Sequence, residues 1–206
     1  MRAIGSMTVL VASLIAAQVA AAACETPQSC LEAIGASQRD TRVLSARFVQ
    51  TKRLSLLTEP LISTGRFAFR QPGELLWELD TPRVTVRIDK SGVHIPDVPA
   101  AQYADLAPFS GMMRELSAVF TGSWDRVEAS FTVTVMPEPN VVRVSLVPRN
   151  PEWQRMFRAM ELSFLRPDLL IHTIRLDERL GDSVEIAFSD IHRNDAVAAA
   201  VLDTAP

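Results

Sequence analysis

The sequence predicts a mainly β protein of the α+β class, built on one large curled antiparallel sheet with two or three helices. Three observations carry this. Short segments that alternate apolar and polar residues recur along the chain, which is the period of a half-buried strand. Brief turn signals separate most of them, which favours antiparallel pairing of neighbours. The helical stretches do not alternate with strands as a βαβ rhythm would require. A count of nine to eleven strands is more than a flat sheet tolerates, so the sheet should curl, and its mouth then needs covering.

Residues 1–23 carry the pattern of a cleaved signal peptide. Arg2 is the positive start, Met7 to Ala17 the apolar run, and Ala21-Ala22-Ala23 the small-residue cleavage site. Residues 24–206 then form a single exported domain. Cys24 and Cys30 are the only cysteines, and two readings of them stand. In an oxidising compartment they would pair as a disulfide. The run Ala-Ala-Ala-Cys is also a weak lipobox, with Cys24 the lipidated residue.

Ser29 to Leu44 reads as a helix, with Ser29 and Glu32 at capping-box spacing. A strand follows around Phe48-Val49-Gln50. Gly65 leads into a second, where Phe67 and Phe69 share a face. After the Pro72-Gly73 turn, Leu75, Trp77 and Leu79 share a face; after Thr81-Pro82, Val84, Val86 and Ile88 do so. Val93 to Ile95 begins a short strand, and a proline-bearing loop runs over 96–110. A second helix is expected over 111–120, where Met112, Met113, Leu116, Val119 and Phe120 form one stripe. Alternation then resumes at Phe131–Val135, Val142–Leu146, Met160–Phe164, Ile174–Leu176 and Val184–Phe188. Asn150-Pro151 opens a short helix to about Arg158. The tail from Asp195 is Ala-rich.

The composition excludes some classes. A formal charge of −3 argues against a nucleic-acid partner. His94, His172 and His192 are scattered and not spaced for a metal. There is no GxSxG elbow and no phosphate-binding glycine loop. No enzyme chemistry and no cofactor are expected.

The ordered series Phe48-Val49-Gln50, Gly65-Arg66-Phe67-x-Phe69, Pro72-Gly73-x-Leu75-x-Trp77 and Pro82 is followed by Phe157-x-x-Met160-x-Leu162-x-Phe164, Ile186-x-Phe188 and Asn194. Together these resemble the periplasmic outer-membrane lipoprotein carriers, the LolA-like family. The resemblance implies a half-open antiparallel β-barrel lidded by helices over an apolar cavity. It implies a periplasmic carrier that shields acyl chains and passes an acylated lipoprotein, or another acyl-chain lipid, from an inner-membrane transporter to an outer-membrane receptor. Alternatives are a lipid-anchored, receptor-like protein of the same fold, or an envelope binding module that takes no lipid. On this reading the cavity is lined by Phe48, Phe67, Phe69, Leu75, Trp77, Leu79, Val86, Met112, Met113, Leu116 and Phe120.

The chain departs from the family at two places. Family carriers have an Arg directly before the proline of the P-x-x-x-x-W stretch, and this chain has Gln71 there, with Arg70 one earlier. A one-residue shift on a strand exchanges faces. The stretch from Glu59 to Gly65 looks more like divergent carrier relatives, for which acyl cargo is the expectation.

Overall fold

The computed structural model describes residues 24–96 and 116–203. Helix α1 (Pro27–Arg39) leads into four hairpin-connected strands, β1 (Val43–Arg53), β2 (Leu61–Arg70), β3 (Glu74–Leu79) and β4 (Val84–Asp89), and the short β5 (Gly92–His94). Helix α2 is described over 116–120. Then come α3 (Trp124–Ser130), β6 (Phe131–Pro137), β7 (Val141–Pro148), α4 (Pro151–Met156), β8 (Phe157–Leu165), β9 (Leu170–Glu178), β10 (Ser183–Arg193) and α5 (Ala196–Asp203).

All ten strands belong to one antiparallel sheet in the order β5-β4-β3-β2-β1-β10-β9-β8-β7-β6. The single long-range join is β1 against β10, where Phe48 faces Phe188. Every other neighbour follows in sequence, as short turns require. The sheet does not close, and β5 and β6 are its two edges. Register shifts in β1 near Ser45 and in β8 interrupt the ladder, the kind of irregularity that bends a strand and increases its twist.

One face of the sheet is apolar from edge to edge. Phe67 pairs with Trp77, Trp77 with Val86, Val142 with Phe164 and Leu162 with Ile174. Residues of α1, α2 and α3 pack on that face, including Ile34, Phe120, Trp124 and Val127, and they join it in one buried cluster. Helix α5 packs on the opposite face, where Leu202 meets Ala68 and Leu76. Asp203 there accepts from Arg70 at 2.6 Å. Helix α4 closes one end, with Trp153 stacked on Phe131 at 5.4 Å. Among the described residues, no helix is long and apolar enough to cross a membrane.

Several boundaries differ from the sequence reading, and the described residues hold five helices rather than two or three. The first helix starts at Pro27, capped by Thr26 and Ser29, which exchange hydrogen bonds, so Ser29 is the third helical residue and Glu32 has no capping part. It stops at Arg39, because the alternation that starts at Val43 already belongs to β1. Helix α4 ends at Met156 and Phe157 opens a strand. Helices α3 and α5 are additions to the expected set. The expected signal peptide, Met112 and Met113, and the 96–110 loop beyond Pro96 lie outside the described residues.

Candidate functional site

The candidate site is the helix-covered face of β1–β4 and β10. Strand alternation decides which side chains reach it. Leu44, Ala46 and Phe48 of β1, Phe67 and Phe69 of β2, Leu75, Trp77 and Leu79 of β3, and Val86 of β4 fall on this face by register. Leu116 and Phe120 meet it from α2. The nine expected lining residues that are described therefore occupy one region.

They also fill it. Phe48 and Trp77 have ring centroids 4.3 Å apart, Phe67 and Phe120 4.7 Å, and Phe67 and Phe188 5.5 Å. Phe188, which is not among the expected residues, is the hub that joins the two halves of the sheet. Its signal is present in the alternation of Val184, Ile186 and Phe188. Tilted and edge-to-face ring contacts of this kind add about 0.5–1.5 kcal/mol each beyond burial. Cover is incomplete along one side. Trp77, Leu79, Leu176 and Ile186 pack on the core while only partly buried. They form an apolar strip that runs toward the sheet end holding the β1–β2 and β9–β10 turns.

A cavity of about 770 Å³ opens at the other end of the sheet, between the β2–β3 and β4–β5 turns and the helices. Its described lining includes Gln71, Glu74, Lys90, Ser91, Ser117 and Arg126, and none of the nine expected residues. Arg70 and Gln71 part ways here. Arg70 turns to the α5 side and bridges Glu74 and Asp203, which hold its guanidinium pKa above the usual value, Asp203 through its hydrogen bond most strongly. Gln71 reaches α1, where its amide donates to the Gln38 carbonyl at 3.5 Å.

At the rim of this cavity the β4–β5 turn gathers Asp89, Ser91 and His94. The Ser91 hydroxyl and then its N–H hold the Asp89 carboxyl down to about 2. Ser91 Oγ lies 2.7 Å from His94 Nε2, and Asp89 Oδ1 lies 3.3 Å from the same nitrogen. A charge-stabilised Ser-His-Asp device needs the two partners on opposite ring nitrogens. This cluster is a turn lock of another geometry. Among the described residues no group of His, Cys, Asp and Glu is placed to hold a metal ion.

Cys24 Sγ and Cys30 Sγ are bonded in the structure, and Arg166 donates to the Cys24 carbonyl at 2.8 Å. The bridge closes Cys24 onto the first turns of α1, and the Arg166 bond ties that end to the β8–β9 turn.

This fold and apolar face define a class, the helix-covered open sheets of the lipoprotein-carrier type. Residues 39–203 match the family described as Outer membrane lipoprotein carrier protein LolA, and the chain belongs to that family. Curated relatives are distant. The outer-membrane lipoprotein carrier protein of Dechloromonas aromatica is 27% identical over 172 residues, which is 82% of this chain and 79% of the relative. That of Pseudomonas syringae pv. syringae is 23% identical over 160 residues, covering 77% and 75%. Among solved structures, an uncharacterized conserved protein from Thermus thermophilus aligns at TM-score 0.48 and 14% identity, covering 87% of this chain and 93% of that one. MucB, solved in complex with MucA(peri), aligns at 0.46 and 16%, covering 87% of this chain and 60% of its own. The LolA superfamily protein NE2245 from Nitrosomonas europaea aligns at 0.41 and 7%, covering 83% and 94%.

Proposed function

We propose that this protein is a periplasmic carrier that shields acyl chains between the sheet and its helices and moves an acylated lipoprotein or other acyl lipid toward the outer membrane. The observation that carries the reading is the apolar face that runs across the open sheet under separate helices, within a chain of the lipoprotein-carrier family. Each methylene kept from water is worth about 0.8 kcal/mol, so a lipid with long chains needs such a shield to cross an aqueous space. Aromatic side chains that pack without directional bonds suit a carrier that must also release its load.

Native mass spectrometry of the protein purified from the periplasm without detergent tests this. Non-covalent lipid or lipoprotein on a chain that begins near Cys24 is the expected result. A bare chain that also ignores a fluorescent acyl probe would replace the carrier with a dry-core binding module. The close ring contacts around Phe48 and Phe67 favour that second reading. The same spectrum separates the states of Cys24, since a disulfide lightens the chain by two hydrogens and a lipid anchor adds an acyl mass.

A further inference from the structure

We infer that the sheet end formed by the β1–β2 and β9–β10 turns is a docking surface for a lipid bilayer. Scattered exposed apolar residues are ordinary; a cluster of large ones is not. Among the described residues the three most exposed large apolar side chains are Leu56 at 94%, Leu180 at 86% and Ile62 at 66%. All three belong to this end, together with Leu57 and Leu61.

The two turns are held as one unit. The Ser55 N–H donates to Asp182 Oδ1 at 2.6 Å, tying the β1–β2 tip to the β9–β10 tip. The β9–β10 turn is anchored in turn to the end of α4, where the Arg179 N–H donates to the Met156 carbonyl at 3.2 Å. Leucines fixed at the ends of two linked hairpins form a narrow apolar prow rather than a flat face. Such a shape suits shallow burial at the headgroup boundary.

Charge permits a membrane as the occupant. The protein as a whole is acidic, at −3, but at this end Lys52, Arg53, Arg155 and Arg179 balance Glu59, Asp177, Glu178 and Asp182. An end without net charge gives a bilayer surface no repulsion to overcome, and long Lys and Arg side chains beside leucines buried in a bilayer reach the headgroups. Continuity argues for it. Leu61 shares the inner face with Gly65 and Phe67, and Lys52 opposite it pairs with Val184 beside Ile186. The partly covered apolar strip therefore leads directly to the prow.

This goes beyond the carrier reading and does not need it. The test is vesicle flotation of the folded exported chain, at low and at raised salt. One set of vesicles is phosphatidylethanolamine with phosphatidylglycerol, the other phosphatidylcholine alone. The wild type should float with both sets of vesicles and stay bound at raised salt, since leucine burial rather than charge holds it. Leu56→Gln with Leu180→Gln should lower partitioning at least about tenfold, with unchanged circular dichroism and unchanged acyl-probe binding. Val197→Gln, an exposed apolar site on α5, should float like the wild type. A wild type that stays unbound, or a double variant that floats as well as the wild type, overturns the proposal. So does a photo-crosslinker at position 56 that captures a protein while vesicles go unbound, since the occupant is then a protein. A protein that floats but binds no acyl probe would sink the carrier reading and leave this one standing.

Discussion

Phe48 occupies the space that a side chain at position 65 would need. The two residues face each other across β1 and β2, and a Cβ on Gly65 would run into the Phe48 ring and the Glu78 carbonyl. Gly65 is thus the gap into which the ring is set, at the point where Phe48 also meets Trp77. Gly65→Ala should destabilise the fold by about 2–3 kcal/mol, the scale of overpacking a dense core. Urea denaturation followed by tryptophan fluorescence measures it, and a change within error would mean that the Phe48 ring moves aside freely.

Trp77 stands in the partly covered strip, against Phe48, Phe67 and Phe188. If acyl chains enter between sheet and helices, a carboxylate there must repel them. Trp77→Glu should abolish binding of a fluorescent acyl probe while the protein is still exported and folded. Probe binding that persists would move the acyl site away from this residue.

Glu78 faces the other side of the sheet, buried, and accepts from Arg66 at 2.9 Å and Arg83 at 3.3 Å. Without Arg66 the buried Glu78 keeps only the more exposed Arg83 as a partner, so its charge is less well compensated. Arg66→Ala should therefore cost about 1–3 kcal/mol, the scale of a hydrogen bond to a charged group, and Glu78→Gln added to it should recover part of that loss. Thermal unfolding of the two single variants and the double variant gives the coupling; simple additivity would show that the pair contributes nothing.

The Asp89 turn lock makes a prediction in pH. Its carboxyl is lowered from 3.8 to about 2, first by the Ser91 hydroxyl. A lowered carboxylate contributes stability that is fully present above the unfolded value and is lost as pH falls through the folded one. The Asp89 contribution should therefore be intact above about pH 4 and gone below about pH 2. Ser91→Ala should bring the carboxyl back toward 3.8, as read by the NMR titration of the Asp89 side chain. A titration that stays near 2 in the variant would assign the effect to another group.

The strands were legible because period two is a local property. Phe67/Phe69 and Leu75/Trp77/Leu79 name their own face, and the register puts them there together. The missed helices lack such a signature. Helix α3 is seven residues long and buries only Trp124 and Val127, too few for a helical stripe. Helix α5 is Ala-Val-Ala-Ala-Ala-Val-Leu-Asp, in which alanine marks no face. The cap at Thr26 was hidden because Ser29 has the same chemistry three residues on. Which turns open beside a cavity depends on how helices settle on the sheet, and no single segment encodes that. So the grouping of Gln71, Lys90 and Arg126 around one space emerges only from the folded chain.

The two free edges of the sheet have a mechanical meaning. In a closed barrel, strand number and stagger fix the girth. Here β5 and β6 are not joined to each other, and what spans the inner face between them is helix packing. Strand number and stagger therefore leave the girth of the interior open, and the seating of α1, α2 and α3 on the sheet sets it. Hydrogen bonds from Ser37 and Gln38 to the β8–β9 turn thus act on the width of the inside as well as on the place of a helix.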